Sequence, residues 1–271
     1  MKRIWSKIIF ILGILLLLYP IISNLIQRTN QKSLIQTYEN KVDDNEEYMD
    51  ELFKKAQQYN SMWCQTQGAV VGDSELQLQY EEELNVMDDG IMGSIEIPKI
   101  SVSLPIHHGT EEDVLKNGVG HFEDSALPVG GENTRCILTA HRGLPNSKLF
   151  TRLDELENGD LFFLKVCNQT LAYQVNEIQV IKPDELDKLQ INPGEDLVSL
   201  ITCTPYGINT HRLVVTGTRV PYEKKDYEQI QPKLFSAREL IFTALPFIFI
   251  AIEVVPHIKG KRRWNRENKK S

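Results

Sequence analysis

The longest uninterrupted apolar run lies near the start of the chain. Residues 8–22 are almost all Ile and Leu, and a weaker apolar character continues to Ile26. A run of this length approaches the ~20 residues that a helix needs to cross a hydrocarbon layer of ~30 Å. No A-x-A-like cleavage site follows in residues 19–24. This favours a retained membrane anchor over residues 1–27 rather than a cleaved signal peptide.

A second apolar stretch covers residues 240–256. It is short for a membrane span, it contains Pro246, and the carboxylate of Glu253 would be costly inside a bilayer. A small shift places Glu253 at the interface, with the basic tail over 257–271 as a retained flank. We therefore expect a C-terminal span after a linker over residues 223–239, with an interfacial amphipathic helix as the alternative.

Residues 28–90 first show helical periodicity and then lose it. Apolar side chains recur three or four residues apart, which predicts the buried stripe of an amphipathic helix: Met49, Leu52, Phe53, Ala56, Tyr59 and Trp63. We expect this helix to pack against the folded domain. Residues 64–90 carry Gly68, Gly72 and an acidic run at 81–83, which predicts a long loop and a candidate lid.

From residue 91 to residue 222 the period shortens to that of β-strands. Turn signals such as Gly130-Gly131 and Pro193-Gly194 punctuate this region. After an alternating start over 95–106, five further runs are strand-like: 136–140, 161–166, 171–181, 197–202 and 212–220. Many short strands of this kind indicate an all-β barrel or sandwich rather than βαβ units.

The net charge of −7 is unevenly distributed. Residues 1–7 carry +3 and residues 257–271 carry +6, which leaves −16 on the region between them. Basic residues that flank apolar segments tend to stay in the cytoplasm, so both termini are expected there, with the acidic region outside the cell membrane. An acidic surface repels phosphates, which argues against nucleic acid as a partner.

The four cysteines form no recognisable metal or redox motif. Cys64, Cys136, Cys167 and Cys203 lack C-x-x-C spacing and have no histidines at metal-ligand spacing, so neither a metal nor a cofactor is expected. Disulfides are permitted outside the cell, yet a nucleophilic thiol must stay free. We expect no disulfide, with Cys136 and Cys167 as buried thiols in strands.

Three residues with useful chemistry lie at strand ends, where a side chain can be exposed on a rigid scaffold. Cys203 follows the apolar run 197–202, His141 follows the run 137–140, and Arg212 begins the last strand. An imidazole can take a thiol proton and later protonate a leaving amine, so His141 is the candidate proton shuttle for a Cys203 nucleophile. A guanidinium near the sulfur can donate hydrogen bonds to a developing oxyanion, which is the role expected of Arg212.

The remaining histidines are weaker candidates for proton transfer. His107 and His108 adjoin Gly109 and are expected in a surface turn, and His121 is expected to be a structural donor. His211 adjoins Arg212, but side chains alternate along a strand, so it should face the other way.

Several segments resemble those of sortases. The catalytic segments of that family are similar to residues 138–143 (LTAHRG), 200–207 (LITCTPYG) and 209–213 (NTHRL). Residues 95–100 (IEIPKI) and 118–122 (GVGHF) narrow the resemblance to class C, the pilus-assembling sortases of Gram-positive bacteria. Order and spacing match as well as the individual segments.

The resemblance implies a fold and a reaction. The fold is an eight-stranded β-barrel over residues 91–222, in which Cys203, His141 and Arg212 converge on one groove. The Cys203 thiolate would attack the Thr–Gly bond of an LPxTG-like sorting motif on a pilin or surface protein and form a thioacyl enzyme. An amine, typically a lysine of another pilin, would then take the acyl group. Thiol, imidazole and guanidinium suffice, so the reaction needs no cofactor.

The chain departs from class C where a lid is expected. Class C sortases usually carry an Asp-Pro-aromatic motif upstream of the barrel, and that motif occupies the active site. This sequence contains no Asp-Pro. Residues 64–90 therefore either lack a lid or plug the groove with another group, for which Trp63-Cys64 is the substitute to consider.

Three other functions are weighed against pilin polymerisation. A sortase could instead attach surface proteins to a peptidoglycan precursor. A papain-like cysteine protease would normally have its Cys before its His, with an Asn or Asp orienting the imidazole, whereas here His141 precedes Cys203. The third is an anchored binding module that has lost activity.

Overall fold

The computed structural model describes residues 2–65 and 79–233, together with six helical positions: 240, 241, 244, 247, 248 and 252. The chain divides into two units, one comprising Ile26–Leu234 and the other comprising Met1–Leu25 and Phe235–Ser271. Residues 66–78 of the predicted loop, most of the predicted C-terminal span and the basic tail lie outside the described residues.

Eight strands close into a barrel in the order β1-β2-β3-β4-β7-β8-β6-β5. This confirms the eight-stranded barrel that the resemblance implies. The strands are β1 Ile91–Ile97, β2 Val102–His107, β3 Val119–His121, β4 Thr134–Thr139, β5 Leu161–Val166, β6 Gln169–Ile181, β7 Asp196–Thr204 and β8 His211–Val220. The pairs β2–β3 and β4–β7 are parallel, and all other neighbours are antiparallel.

Short helical elements lie between the strands, and one further short helix follows the last strand. They are the helices α3 Glu112–Asn117 and α4 Lys224–Gln229 and the 3-10 turns Pro98–Ile100, Leu153–Glu155 and Pro183–Lys188. Side chains alternate between the two faces of each strand, so every second one points into the barrel and helps to fill it. On β7, Val198 and Leu200 belong to the main core, whereas Ile201 belongs to a second apolar cluster on the outer face.

The N-terminal helix α1 covers Lys2–Asp43. Among the described residues it is the one helix that is long and apolar enough to cross a membrane, with a mean hydropathy of 2.5 in its apolar window. The anchor predicted at the start of the chain is therefore helical and of sufficient length.

The polar half of α1 packs on the barrel through a narrow stripe. Ile35, Tyr38 and Val42 recur three or four residues apart and are buried. The Tyr38 hydroxyl donates to the carbonyl oxygen of Met92 at 3.1 Å and accepts the backbone N–H of Cys167 at 2.9 Å. This half of α1 is thereby fastened to β1 and to the turn between β5 and β6.

Helix α2, Glu46–Gln65, carries the stripe that the periodicity predicts. Met49, Ala56 and Tyr59 are buried, and the other three members of the stripe pack against the same core. The side chain of Asn60 donates to the carbonyl oxygens of Leu127 and Gly130, which fixes the loop before β4. The predicted packing of this helix against the folded domain is confirmed.

One short part of the loop predicted over residues 64–90 is helical instead, whereas residues 83–90 contain neither helix nor strand, as predicted. Residues 79–82 are helical, and both Tyr80 and Leu84 are buried in the main core. The Tyr80 hydroxyl accepts the N–H of Gly109 at 3.0 Å and lies 2.9 Å from Nδ1 of His121. Two apolar residues four apart suffice to bury one helical turn, although the acidic residues around them hide that signal in the sequence.

Candidate active site

Strands β7 and β8 bring the candidate nucleophile beside the candidate oxyanion donor. Cys203 and Arg212 are directly paired in the antiparallel register. Directly opposed residues have Cβ atoms ~4.5–5.5 Å apart, so the thiol and the guanidinium stem share one face of the barrel. Both side chains are partly exposed. Arg212 Nη1 donates to the carbonyl oxygens of His211 and Asn209, at 3.2 and 3.5 Å.

The parallel register of β4 and β7 brings His141 to the same level. Each residue of β4 pairs with the residue 62 positions later, from Thr134 with Asp196 to Thr139 with Ile201.

Two contacts extend the same offset beyond the paired strands. The Thr202 hydroxyl donates to the carbonyl oxygen of Ala140 at 2.8 Å, and Arg142 Nη1 donates to the Thr204 hydroxyl at 3.3 Å. The pair His141 and Cys203 lies between these two contacts. The register therefore places His141, two residues beyond the end of β4, in one row with Cys203 on β7 and Arg212 on β8.

An apolar cluster outside the barrel interior adjoins this row. Its buried members are Ile137, Ile181, Leu189, Ile201 and Val214, with Phe122 and Leu186 packed against it. On β7 and β8, Ile201 and Val214 lie two residues from Cys203 and Arg212, so they share their face. An extended apolar segment could lie here with its backbone next to the thiol.

The imidazole of His141 is left available for proton transfer. Its Nε2 is buried and makes no hydrogen bond within the part of the chain that the structure describes. Nε2 of His141 lies 3.7 Å from Oε2 of Glu112 in α3, and Oε1 of the same carboxylate lies 3.4 Å from Lys116 Nζ. The backbone carbonyl of His141 accepts the N–H of Phe150 at 3.2 Å, which holds the loop.

His108 and His121 are engaged elsewhere, whereas Nε2 of His107 is also buried without a hydrogen bond among the described residues. His121 is fully buried, its Nε2 donates to the carbonyl oxygen of Ala126 at 2.8 Å, and burial lowers its pKa to about 4. It is the structural donor that the sequence predicts. His108 is not a surface-turn residue, since its ring nitrogens lie 3.0 and 2.8 Å from the carbonyl oxygens of Gly90 and Glu83. Burial also lowers the pKa of His107.

The cysteines other than Cys203 are poor nucleophiles. All four are free thiols. Burial raises the pKa of Cys136 well above its usual value and that of Cys167 to about 12. Burial also raises the pKa of Cys64.

Trp63-Cys64 does not plug the groove, so this hypothesis is wrong. The Cys64 thiol donates to the carbonyl oxygen of Asn133 at 3.0 Å. Asn133 precedes β4, whereas His141 follows it, and a strand of six residues is ~20 Å long. The packing of α2 therefore brings Cys64 to the opposite end of the strand.

Sequence reasoning missed several residues around the row. Arg142 is buried against Asp154, Thr204 and Tyr206, and Glu112 approaches His141. The feature of the sequence that could have identified Arg142 is its position directly after His141. Among the described residues, no group of three or more His, Cys, Asp or Glu side chains could hold a metal ion.

Comparison with known proteins identifies the family. A model of the sortase domain matches residues 95–220. The crystal structure of sortase C1 from Streptococcus agalactiae is 44% identical, with 70% of this chain and 100% of that chain covered and a TM-score of 0.68. The chain belongs to the sortase family. Sortase C from Clostridium perfringens, solved with the C-terminal cell wall sorting motif, is also 44% identical, with 70% and 99% covered and a TM-score of 0.61.

Curated relatives agree with this assignment over a shorter length. Sortase D from Bacillus subtilis is 34% identical over 131 residues, which are 47% of this chain and 63% of that protein. The chain thus spans less than two thirds of that relative. Sortases are cysteine transpeptidases, and this sortase resembles solved class C members. The matched residues 95–220 fall inside the predicted barrel domain, whose outer boundaries stay predictions.

Proposed function

We propose that this protein is a membrane-anchored transpeptidase that joins a sorting-motif protein to an amine. It cleaves an LPxTG-like motif between Thr and Gly and transfers the acyl group to a lysine of a pilin, which polymerises pili. The observation that carries this proposal is the row of His141, Cys203 and Arg212 across three paired strands. The class C neighbours support pilin as the substrate class, and one of them was solved with a sorting motif.

The first half of the reaction forms the thioacyl enzyme. His141 accepts the proton of the Cys203 thiol, and the sulfur attacks the carbonyl carbon of the Thr–Gly bond. The carbonyl oxygen becomes an oxyanion, which accepts hydrogen bonds from the Arg212 guanidinium. The C–N bond then breaks as the imidazolium donates its proton to the departing amine of Gly.

The second half reverses these roles. The acceptor amine gives a proton to His141 and attacks the thioester carbon, so a new C–N bond forms and the C–S bond breaks. A covalent intermediate suits amide exchange because the acyl energy is stored rather than lost to water. The free Nε2 of His141 supports this role in both directions.

The apolar half of α1 supports a location at the cell membrane, with the barrel on the outer side. The charge distribution supports cytoplasmic termini. The C-terminal span over 240–256 is part of the same proposal.

The test is intact mass spectrometry of the full chain in detergent after mixing with an LPxTG peptide. The expected result is a mass increase equal to the peptide fragment up to Thr, which is absent in Cys203→Ala and retained in the matched control Cys64→Ala. Adding a lysine peptide or an oligoglycine then identifies the acceptor. Faster release by oligoglycine would favour attachment to a peptidoglycan precursor. If no adduct forms although Cys203 still reacts with iodoacetamide, the assignment of an LPxTG-like sorting motif is wrong.

A further inference from the structure

Arg142 is a buried cation that the proposed reaction does not use. Its side chain is 3% exposed, whereas Arg is mostly an exposed residue. His141 and Arg142 are adjacent residues in the segment that follows β4. The side chain of His141 is partly exposed, whereas that of Arg142 is buried.

The guanidinium of Arg142 contacts three residues in two separate segments. Nη2 lies 2.6 Å from Oδ2 of Asp154, in the short turn Leu153–Glu155. Nη1 donates to the hydroxyl of Thr204, the residue after Cys203, at 3.3 Å. Cζ lies 5.7 Å from the ring centroid of Tyr206 in the loop between β7 and β8. A planar guanidinium can make such contacts together because its N–H groups have a fixed fork geometry.

The residues around Arg142 extend this brace. The N–H of Gly143 donates to the Thr151 hydroxyl at 3.1 Å, on the segment that also carries Asp154. Gly143 has a φ of +78°, and a Cβ there would lie 3.2 Å from the Tyr206 ring, so glycine permits this close approach. The loop with His141 is thus tied to the segment at 151–154, and Arg142 ties both to the loop that follows Cys203.

We propose that Arg142 is a positioning residue that holds His141 at its working distance from Cys203 by joining the two loops that carry them. This inference rests on the proposed function, which assigns both residues to one reaction. Arg142 contacts Asp154 and the residues after Cys203, so it acts on the reacting atoms only through the loops that carry them. Its loss would let the imidazole and the thiol drift apart, and a misplacement of ~1 Å can cost ~10²-fold in rate.

The chain offers a matched control in Arg152. This arginine is also buried, and its Nη2 lies 2.8 Å from Oε2 of Glu155, in the same short turn that carries Asp154. It also donates hydrogen bonds to the carbonyl oxygens of Ile100 and Lys233. Arg152→Lys therefore replaces a comparable buried guanidinium while Arg142 itself is kept.

The experiment compares Arg142→Lys, Thr204→Val and Arg152→Lys with the wild type, as full chains in detergent. Lysine keeps the positive charge but cannot reach Asp154, Thr204 and Tyr206 together, so charge and positioning are separated. Iodoacetamide labelling of Cys203 across pH, read by peptide mass spectrometry, needs no substrate. It reports the reactivity of the Cys203 thiol, which depends on the groups that surround it. Acyl-enzyme formation and thermal unfolding are measured on the same samples.

For Arg142→Lys we expect iodoacetamide to label Cys203 more slowly at pH 7 and acyl-enzyme formation to slow ~10–100-fold. The KM for the peptide should change less than ~3-fold, because ground-state binding is intact. Thr204→Val should shift both measurements in the same direction by less, and Arg152→Lys should shift neither. Wild-type labelling and acylation in Arg142→Lys, or equal losses in Arg152→Lys, would overturn the inference. If the wild type forms no acyl enzyme, the proposed function fails, while the labelling profile still decides the role of Arg142.

Discussion

The parallel strands β4 and β7 have two ends of different character. At their first residues, the carboxylate of Asp196 accepts hydrogen bonds from the Tyr173 hydroxyl and the Gly131 N–H, both at 3.0 Å, and Arg219 lies 3.9 Å away. The Cys64 thiol is hydrogen-bonded at the same end. At the other end, Nε2 of His141 makes no hydrogen bond within the described chain, and Cys203 is partly exposed.

The difference separates stability from reactivity within one pair of strands. Polar groups that are buried and bonded contribute to stability, because breaking such a bond leaves a desolvated partner. A nucleophile and a proton shuttle cannot be satisfied in this way, since their bonding capacity is needed by the substrate. The same parallel register creates both ends, with closely bonded residues at the start of the strands and chemically available residues at their end.

The largest expected effect is the loss of His141. His141→Ala should slow acyl-enzyme formation ~10²–10⁴-fold, the usual contribution of a positioned acid or base. The control is His211→Ala, which removes the imidazole next to Arg212 on the other face of β8. Single-turnover mass spectrometry of both variants checks this, and wild-type rates in His141→Ala would mean that another group takes the proton.

Two arginines on β8 sharpen the comparison, since each lies at one end of the strand. Arg212→Ala should slow acyl-enzyme formation ~10²–10³-fold through the lost oxyanion donor. Arg219→Ala should leave the rate unchanged and lower the free energy of unfolding by ~1 kcal/mol, because its partner Asp196 keeps other donors. Stopped reactions and denaturant unfolding measure the two quantities. A slow Arg219→Ala enzyme would show that the two ends are not independent.

The thiols at the two ends should differ in reactivity by a smaller factor. Burial raises the pKa of Cys64, and its thiol is hydrogen-bonded to Asn133, whereas Cys203 is partly exposed and directly paired with Arg212. At pH 7 we expect iodoacetamide to label Cys203 at least ~10-fold faster than Cys64. Cys136 and Cys167 should stay unlabelled until the chain unfolds. Equal labelling of Cys64 and Cys203, measured by peptide mass spectrometry, would contradict the proposed site.

The smallest expected effect on activity comes from replacing His121. Its imidazole is fully buried, whereas that of His141 is partly exposed. The His121 pKa of about 4 in the folded chain lies below its ordinary value, so the unfolded chain binds more protons between these two pH values. Stability should therefore fall as the pH drops from ~6.5 toward ~4, by up to ~3 kcal/mol. Denaturant unfolding at several pH values checks this. His121→Gln should flatten the dependence, and an unchanged slope would assign it to other groups.

Much of the architecture could be predicted because its signals are local. The stripe from Met49 to Trp63 is helical periodicity within one segment, and the strand-end positions of Cys203 and His141 follow from short apolar runs. Such patterns report which face of an element is buried. Short local segments also carry the resemblance to sortases, and that resemblance predicts the eight-stranded barrel and the three candidate residues.

The pairing of distant segments could not be predicted in the same way. The offset of 62 residues between β4 and β7, which aligns His141 with Cys203, depends on how the whole barrel closes. The partners of Arg142 come from two other segments, and the burial of Tyr80 depends on His121 and Gly109 far along the chain. Local periodicity reports which face of an element is buried but carries no information about the segment that covers that face. Barrel closure selects that neighbour, because only one arrangement of the strands buries all the inward faces together.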